Sequence, residues 1–426
     1  MGASHNVIYA KAVMGKSLII NINDDNLGYG EFFHHHTLIL KTMNKLLVFL
    51  AFLFACNTSK QDKLYDKITF LETTEYIELT LDSLTKPTTT CLQYDISHDE
   101  MLYWFNESTN SIYKFNLSTG YSNIIRISKE GPEGVGIING FYVVNPNEII
   151  ITTNGLAGAY VIDSTARLKR KILFSNKKQN FKGGYSAPYN RNELFKKTVK
   201  VNNMIYFPQK VTAYWPSLKN EELNDFSIEL AFNLETEALE KKPVHFPSDY
   251  WKFGFTGLYF SREVDINNRF IYSFTNDHNI YVYDSDNWSC NKINAKSRYI
   301  DELGYEKKNG TIEEHVKSEI KNPRYEAIRY DPFHDLYYRI VYHGDEIYEF
   351  TNWSLLSKNK KRYSILILNS SFKIVGEFLL PSAKYMVPNL FITPKGIYIS
   401  NANYNNPDFD ESVVKFYLFK PLFKDG

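Results

Sequence analysis

The fold class predicted is all-β: a six-bladed β-propeller of four-stranded antiparallel blades, closed by an N-terminal strand that completes the last blade. Three observations predict it. A four-strand pattern recurs six times along the chain. The sixth copy stops after its third strand, while Tyr76-Ile77-Glu78-Leu79-Thr80-Leu81 alternates cleanly and belongs to no other copy. Aromatics that favour pleated surfaces are abundant, with 32 Tyr and 30 Phe against 5 Trp.

The second strand of each unit is the clearest: Leu102–Phe105, Ile149–Thr152, Met204–Phe207, Phe270–Ser273, Leu336–Arg339 and Gly396–Ile399. Most follow a turn rich in Asn, Asp, Pro or Gly, such as Asn202-Asn203, Asn267-Asn268 or Asp331-Pro332-Phe333-His334-Asp335. Third strands then run into polar turns, as in Tyr113–Gly120, Tyr160–Thr165, Leu230–Thr236, Tyr281–Asp286 and Leu366–Ser371. Fourth strands follow, as in Lys171–Phe174 and Ile374–Phe378. The sixth unit ends on Val413–Phe419. A ring of sheets must close or leave an open edge, so Tyr76–Leu81 is expected to supply the missing strand. The third unit is poorly bounded, because 175–200 and 211–225 are irregular. Two insertions interrupt the pattern: 301–321, with a short helix expected around Ile312–Val316, and 351–362, where Lys358–Arg362 reads as a solvated hairpin tip.

Four segments are expected: an upstream extension (1–42), a secretory signal (43–55), a flexible tether (56–66) and the propeller (67–426). The signal rests on Met43-Asn44-Lys45, the apolar run Leu46–Phe52 and a small residue before cysteine. The run is too short for a comfortable membrane helix of roughly 20 residues. His34-His35-His36 are adjacent, so they cannot all reach one ion from a regular element.

The full chain carries 49 basic and 48 acidic residues. Residues 1–55 hold Lys11, Lys16, Lys41 and Lys45 against Asp24, Asp25 and Glu31, so a chain starting at Cys56 has no formal net charge. With no long basic run, no nucleic acid is expected as partner. Cys91 and Cys290 fall on separate blades and are expected as two buried free thiols. No phosphate loop, nucleophile elbow or HExxH is present. Asp408-Phe409-Asp410-Glu411 lacks the ordered spacing of a calcium loop. No metal site and no cofactor are expected.

Leu53-Phe54-Ala55-Cys56 resembles a bacterial lipobox. The resemblance implies that Cys56 is lipidated, with Asn57 rather than Asp after it leaning towards the outer membrane. The lipobox, the six-unit pattern, Lys129–Gly134 and above all Tyr325–Pro332 with Leu336–Arg339 resemble a lipoprotein family of the Bacteroidetes, domain-of-unknown-function family 4221. The likeness covers about residues 56–420 and implies a TolB-like propeller at the cell envelope. It implies no chemistry, and residues 1–42 lie outside it.

Propellers bind ligands in the funnel at one end of the central channel, lined by first strands. That locates the candidate ligand residues: Tyr185 and Tyr189 before the third blade, Arg262 and Glu263 at the fourth, Arg324, Tyr325 and Glu326 at the fifth, and Asn389 at the sixth. Arg262 and Arg324 hold matching places, each closely followed by a carboxylate. Guanidinium forks suit carboxylate or phosphate, and tyrosine faces suit sugars or rings. The same residues also suit an internal Arg–Glu ladder between blades. The histidines His98 and His334 sit in equivalent turns, which fits a turn role rather than metal binding. The expected function is therefore a monomeric, non-catalytic binder of a partner protein or a small anionic or glycan ligand, held at the membrane by Cys56. A hydrolase or lyase with Arg, Tyr and Glu in the funnel is the alternative.

Each buried acyl methylene stabilises membrane binding by about 0.8 kcal/mol, so two or more chains hold firmly. Cys56→Ser should take up no labelled fatty acid and leave the membrane fraction. Labelled mutant protein that still sediments with membranes would reject lipidation at Cys56.

Overall fold

The computed structural model describes residues 67–153, 156, 158–174, 196–209, 224–248, 250, 259–304, 311–346 and 361–424, together with Ala10–Lys11 and Ser17–Leu18. Contacts divide the chain into Met1–Asp62 and Lys63–Gly426. In the first unit Ala10–Lys11 pairs antiparallel with Ser17–Leu18. Cys56, the tether up to residue 66, Tyr185, Tyr189 and residues 351–360 of the second insertion lie outside the described residues.

The second unit contains six four-stranded antiparallel sheets. Blade one comprises Leu92–Asp95, Met101–Asn106, Ser111–Asn116 and Ser122–Arg126. Blade two comprises Ile138–Asn145, Glu148–Thr153, Gly158–Ile162 and Leu168–Leu173. The irregular third unit resolves into Val199–Val201, Met204–Pro208, Glu229–Asn233 and Leu239–Lys241. Blade four is Phe260–Val264, Phe270–Phe274, Asn279–Tyr283 and Cys290–Asn294. Blade five is Arg324–Asp331, Leu336–Tyr342, Tyr363–Asn369 and Ile374–Leu379. Blade six is Met386–Thr393, Gly396–Ser400 and Val413–Phe423, with Ile68–Thr80 as its fourth strand.

The second strands read as unbroken apolar runs because both of their faces are covered. Ile149 and Ile151 pack towards blade one, and Ile150 between them packs towards blade three. Phe270, Tyr272 and Phe274 meet blade three, while Ile271 meets blade five. Side chains alternate across a strand, so each second strand contributes to two cores at once. Six such apolar clusters join successive blades among the described residues, including blade six to blade one through Phe391, Phe416 and Trp104. The sheets therefore form a closed ring.

Turn chemistry follows the residue types. Asn202, Asn268 and Asp335 stand between first and second strands with φ of 53°, 59° and 52°. That left-handed region is costly for most side chains and tolerated by Asn and Asp. The expected helix is longer than its sequence signal, spanning Ile312–Lys321. Thr311 and Glu314 cap it reciprocally, which fixes its start. Cys91 is buried and Cys290 is exposed, both as free thiols. The expectation of two buried thiols fails at Cys290 because its strand is the outermost of blade four, where the alternating pattern has no neighbouring blade to cover it.

The closing strand is longer than the segment first read from its alternation. It pairs from Thr80 with Val413 to Ile68 with Phe423. Ile68, Phe70 and Leu79 are buried by that pairing, each contributing about 1.5–3 kcal/mol. Removing residues 57–82 should therefore cost more than about 5 kcal/mol, whereas removing 57–64 should leave the melting temperature unchanged. Equal melting temperatures for the two truncations would reject closure by this strand.

Candidate functional site

Successive side chains of a strand point to opposite faces. On Phe260–Val264 this turns Arg262 and Glu263 to opposite faces, where each meets a partner from a neighbouring blade. Arg262 turns towards blade three and meets Glu229 with a two-pronged contact, Nε to Oε2 at 3.2 Å and Nη2 to Oε1 at 3.1 Å. The Tyr272 hydroxyl donates to the same carboxylate at 2.7 Å. Both charged side chains are fully enclosed. Burial raises the pKa of Glu229 and outweighs the opposing pull of Arg262 and Tyr272.

Glu263 turns the other way. Its Oε1 accepts from Arg329 Nη1 at 2.8 Å and lies 3.1 Å from Lys197 Nζ. Arg329 comes from the first strand of blade five, and Lys197 from the lead-in to blade three. Burial pushes Glu263 up, but Lys197 and Arg329 prevail and hold it below its ordinary pKa. Burial, aided by repulsion from Arg329, depresses Lys197 to about 8 against the pull of Glu263. Two cations thus share one carboxylate.

These three residues line a cavity of about 280 Å³ framed by blades one, three, four, five and six. Its other walls include Leu92, Tyr94 and Asp95 of blade one, Pro332 and Phe333 of blade five, and Leu390, Phe391 and Ile392 of blade six. Most of these lie near the ends of first strands, where the chain turns into second strands. The cavity is therefore at the trailing end of most first strands, and Lys197 reaches it from the lead-in to blade three.

Of the residues expected at the ligand site, Glu263 lines this cavity. Arg262 does not open onto it, for the reason given above. Arg324 is 5% exposed and pairs with Glu326 at 2.8 Å, two residues along the same strand face. Its guanidinium also donates to the carbonyl of Glu319 on the inserted helix and covers the Tyr342 ring. Tyr325 is buried, and its hydroxyl accepts from Ser297 N at 3.1 Å and meets His278 Nδ1 at 2.7 Å. The Arg339 guanidinium stands 3.4 Å from the centre of the Tyr325 ring. Asn389 clamps the backbone of Thr89 on both sides, accepting from its N–H at 3.1 Å and donating to its C=O at 2.6 Å. Arg262, Arg324, Tyr325, Glu326 and Asn389 therefore act in joints within the fold.

Sequence reasoning missed Lys197 and Arg329. Arg329 lies inside Tyr325–Pro332, and inward alternation along a first strand was the available signal. Lys197 sits in Lys196-Lys197-Thr198, which has no periodicity to orient it. His334 Nδ1 is 2.8 Å from Asp331 Oδ2 within its own turn. Among the described residues, no group of three or more His, Cys, Asp or Glu side chains is placed to hold a metal ion.

The family model of DUF4221, a domain of unknown function, matches residues 67–379. No curated protein matches the chain. Among solved structures, a DUF4221 member from Bacteroides vulgatus is 22% identical, covering 84% of this chain and 99% of its own, with a TM-score of 0.72. A Bacteroides fragilis protein provisionally described as exported is 12% identical over 84% of this chain and 96% of its own, with a TM-score of 0.47. Virginiamycin B lyase from Staphylococcus aureus is also 12% identical, over 83% and 99%, at 0.39. The first likeness shows a shared fold, and the other two are similar only in outline.

Removing one partner of a buried ion pair leaves an uncompensated charge, which costs about 3–5 kcal/mol. Arg262→Ala should be destabilised by that amount in urea unfolding. Combining Arg262→Met with Glu229→Leu should recover most of the loss. A near-neutral Arg262→Ala would show that the Glu229 joint contributes little.

Proposed function

We propose, from the premise that the chain belongs to the domain-of-unknown-function family 4221, that it is a lipid-anchored, non-catalytic binding protein of the cell envelope, taking a small anionic ligand in its channel. The observation that carries the binding role is the Lys197–Glu263–Arg329 cluster on the cavity wall, where cations outnumber the carboxylate they share. Guanidinium and ammonium groups in a partly enclosed site favour an anion more than they would in water. The envelope location is supported by the lipobox-like run ending at Cys56. Among the described residues, no helix is long and apolar enough to cross a membrane.

Arg262, Arg324 and Tyr325, which a hydrolase or lyase in the funnel would use, are held in joints between elements, which favours binding over catalysis. Glu263 of blade four, Arg329 of blade five and Cys91 at the start of blade one are the titratable groups that act on Lys197. An anion held by Lys197 needs the ammonium form, so affinity should fall as pH rises through about 8.

Ligand at a hundred times its Kd stabilises a folded protein by about 2.7 kcal/mol. A panel of small carboxylates, phosphate and sugar acids, screened by thermal unfolding of the full chain, should contain at least one that raises the melting temperature. Lys197→Met should melt like the parent without ligand and lose that rise. An anion-induced rise that survives Lys197→Met and pH 9.5 would place binding elsewhere.

A further inference from the structure

We infer that the cavity takes a small monocarboxylate with an apolar body, in preference to a sugar or a dianion. This inference rests on the anion-binding reading and narrows it. Charge gives the first argument. Lys197, Arg329 and Glu263 together leave one positive charge, and Asp95 stands on the same wall. Asp95 is bound to its own turn through Ser97 N and Oγ, both at 3.1 Å. A monoanion answers the one positive charge that Glu263 leaves on the cationic pair, whereas a dianion adds a second charge facing Glu263 and Asp95. Arg329 gives Nη1 to Glu263. The rest of its planar fork suits the two oxygens of a further carboxylate.

The walls give the second argument. Sugar sites offer open aromatic faces and spare polar groups. Here Phe391 stacks with Tyr94, at 5.6 Å and 22°, and with Tyr398, at 5.3 Å and 12°. Phe391 is only 4% exposed, so it offers no open face. Tyr330 leans on Tyr337 with ring centres 5.0 Å apart. Gln93 spends its amide on the backbone of Val143, donating at 2.7 Å and accepting at 2.8 Å. Away from the charged cluster and Asp95, this wall offers sugar hydroxyls few partners. Leu92, Leu390 and Ile392 offer an aliphatic surface instead. The cavity, at about 280 Å³, is at the small end for ligand pockets, about 300–1,000 Å³.

The test is isothermal titration of the full chain at pH 7 with hexanoate, hexanol, glucuronate and inorganic phosphate. Hexanoate should bind one to one, at least tenfold more tightly than the other three. Lys197→Met should weaken hexanoate at least tenfold without changing the melting temperature of the free protein. Ile392→Ser, at the partly exposed aliphatic wall, should weaken hexanoate and leave phosphate unchanged. Tighter Lys197-dependent binding of glucuronate or phosphate would overturn the monocarboxylate assignment and leave the anion site standing. If none of the three anions binds at up to 10 mM, both the assignment and the anion-binding reading fall. Hexanol matching hexanoate would overturn the role of the cations.

Discussion

The pairing of Ile68–Thr80 with Val413–Phe423 joins the two ends of the propeller chain, and the channel depends on it. A ring of sheets held only by side-chain packing would leave one strand edge open. Here backbone hydrogen bonds close it. The register shifts between Tyr417 and Phe419, and Thr73 Oγ1 donates to the Leu418 carbonyl at 3.1 Å at that point. The start of the strand also crosses close to blade five. A Cβ at Gly376 would lie 1.9 Å from the Ile68 carbonyl oxygen, so glycine is what lets the two backbones approach. Closure thus ties blade six to its neighbour as well as to itself. The channel cavity draws residues from five blades, and their distances hold only while the ring is shut.

Charge is buried in two different ways around that ring. In the joints, each buried guanidinium is met by a carboxylate or by a set of hydrogen-bond acceptors. Arg339 is fully buried and donates to Ser273 Oγ and to the carbonyls of Asp277, His278, Asn279 and Ala295. Burial lowers its pKa to about 10 even so. It pins the third and fourth strands of blade four to the second strand of blade five. Arg262 and Glu229 do the same between blades three and four, though Arg262 Nη1 is buried without a partner. Isolated burial of such groups is expensive, so their geometry must be good and the blades cannot slide past one another.

The propeller was legible because its strand pattern is periodic and its turns use residues with special backbone freedom. Strand ends, the closing strand's full length and the helix end at Lys321 were less visible, since tertiary contacts set them. The candidate site residues were harder. Arg262 and Arg324 match in sequence position, yet one pairs across blades and the other along its own strand. Residue type gave the chemistry, while side-chain direction decided its use. Glu263 was singled out because it follows Arg262, although that adjacency has no energetic meaning on a strand, and it lines the cavity. Tyr185, Tyr189 and Cys56 belong to segments outside the described residues.

The channel cluster stands apart from the joints in one respect. A joint is most stable when its charges cancel, and evolution of a scaffold alone could replace such a set with apolar side chains of similar volume at little cost. Lys197 and Arg329 instead crowd a single carboxylate oxygen, and each raises the electrostatic cost of the other. Lys197 is also 24% exposed, so part of its charge is solvated from the cavity side. An arrangement that local stability disfavours, placed on the wall of a cavity, is where function is expected to override packing. An anion entering between the two cations would relieve their repulsion, so binding and stability are coupled at that point. The joints hold the frame, and the cluster is where the proposed anion binding would act.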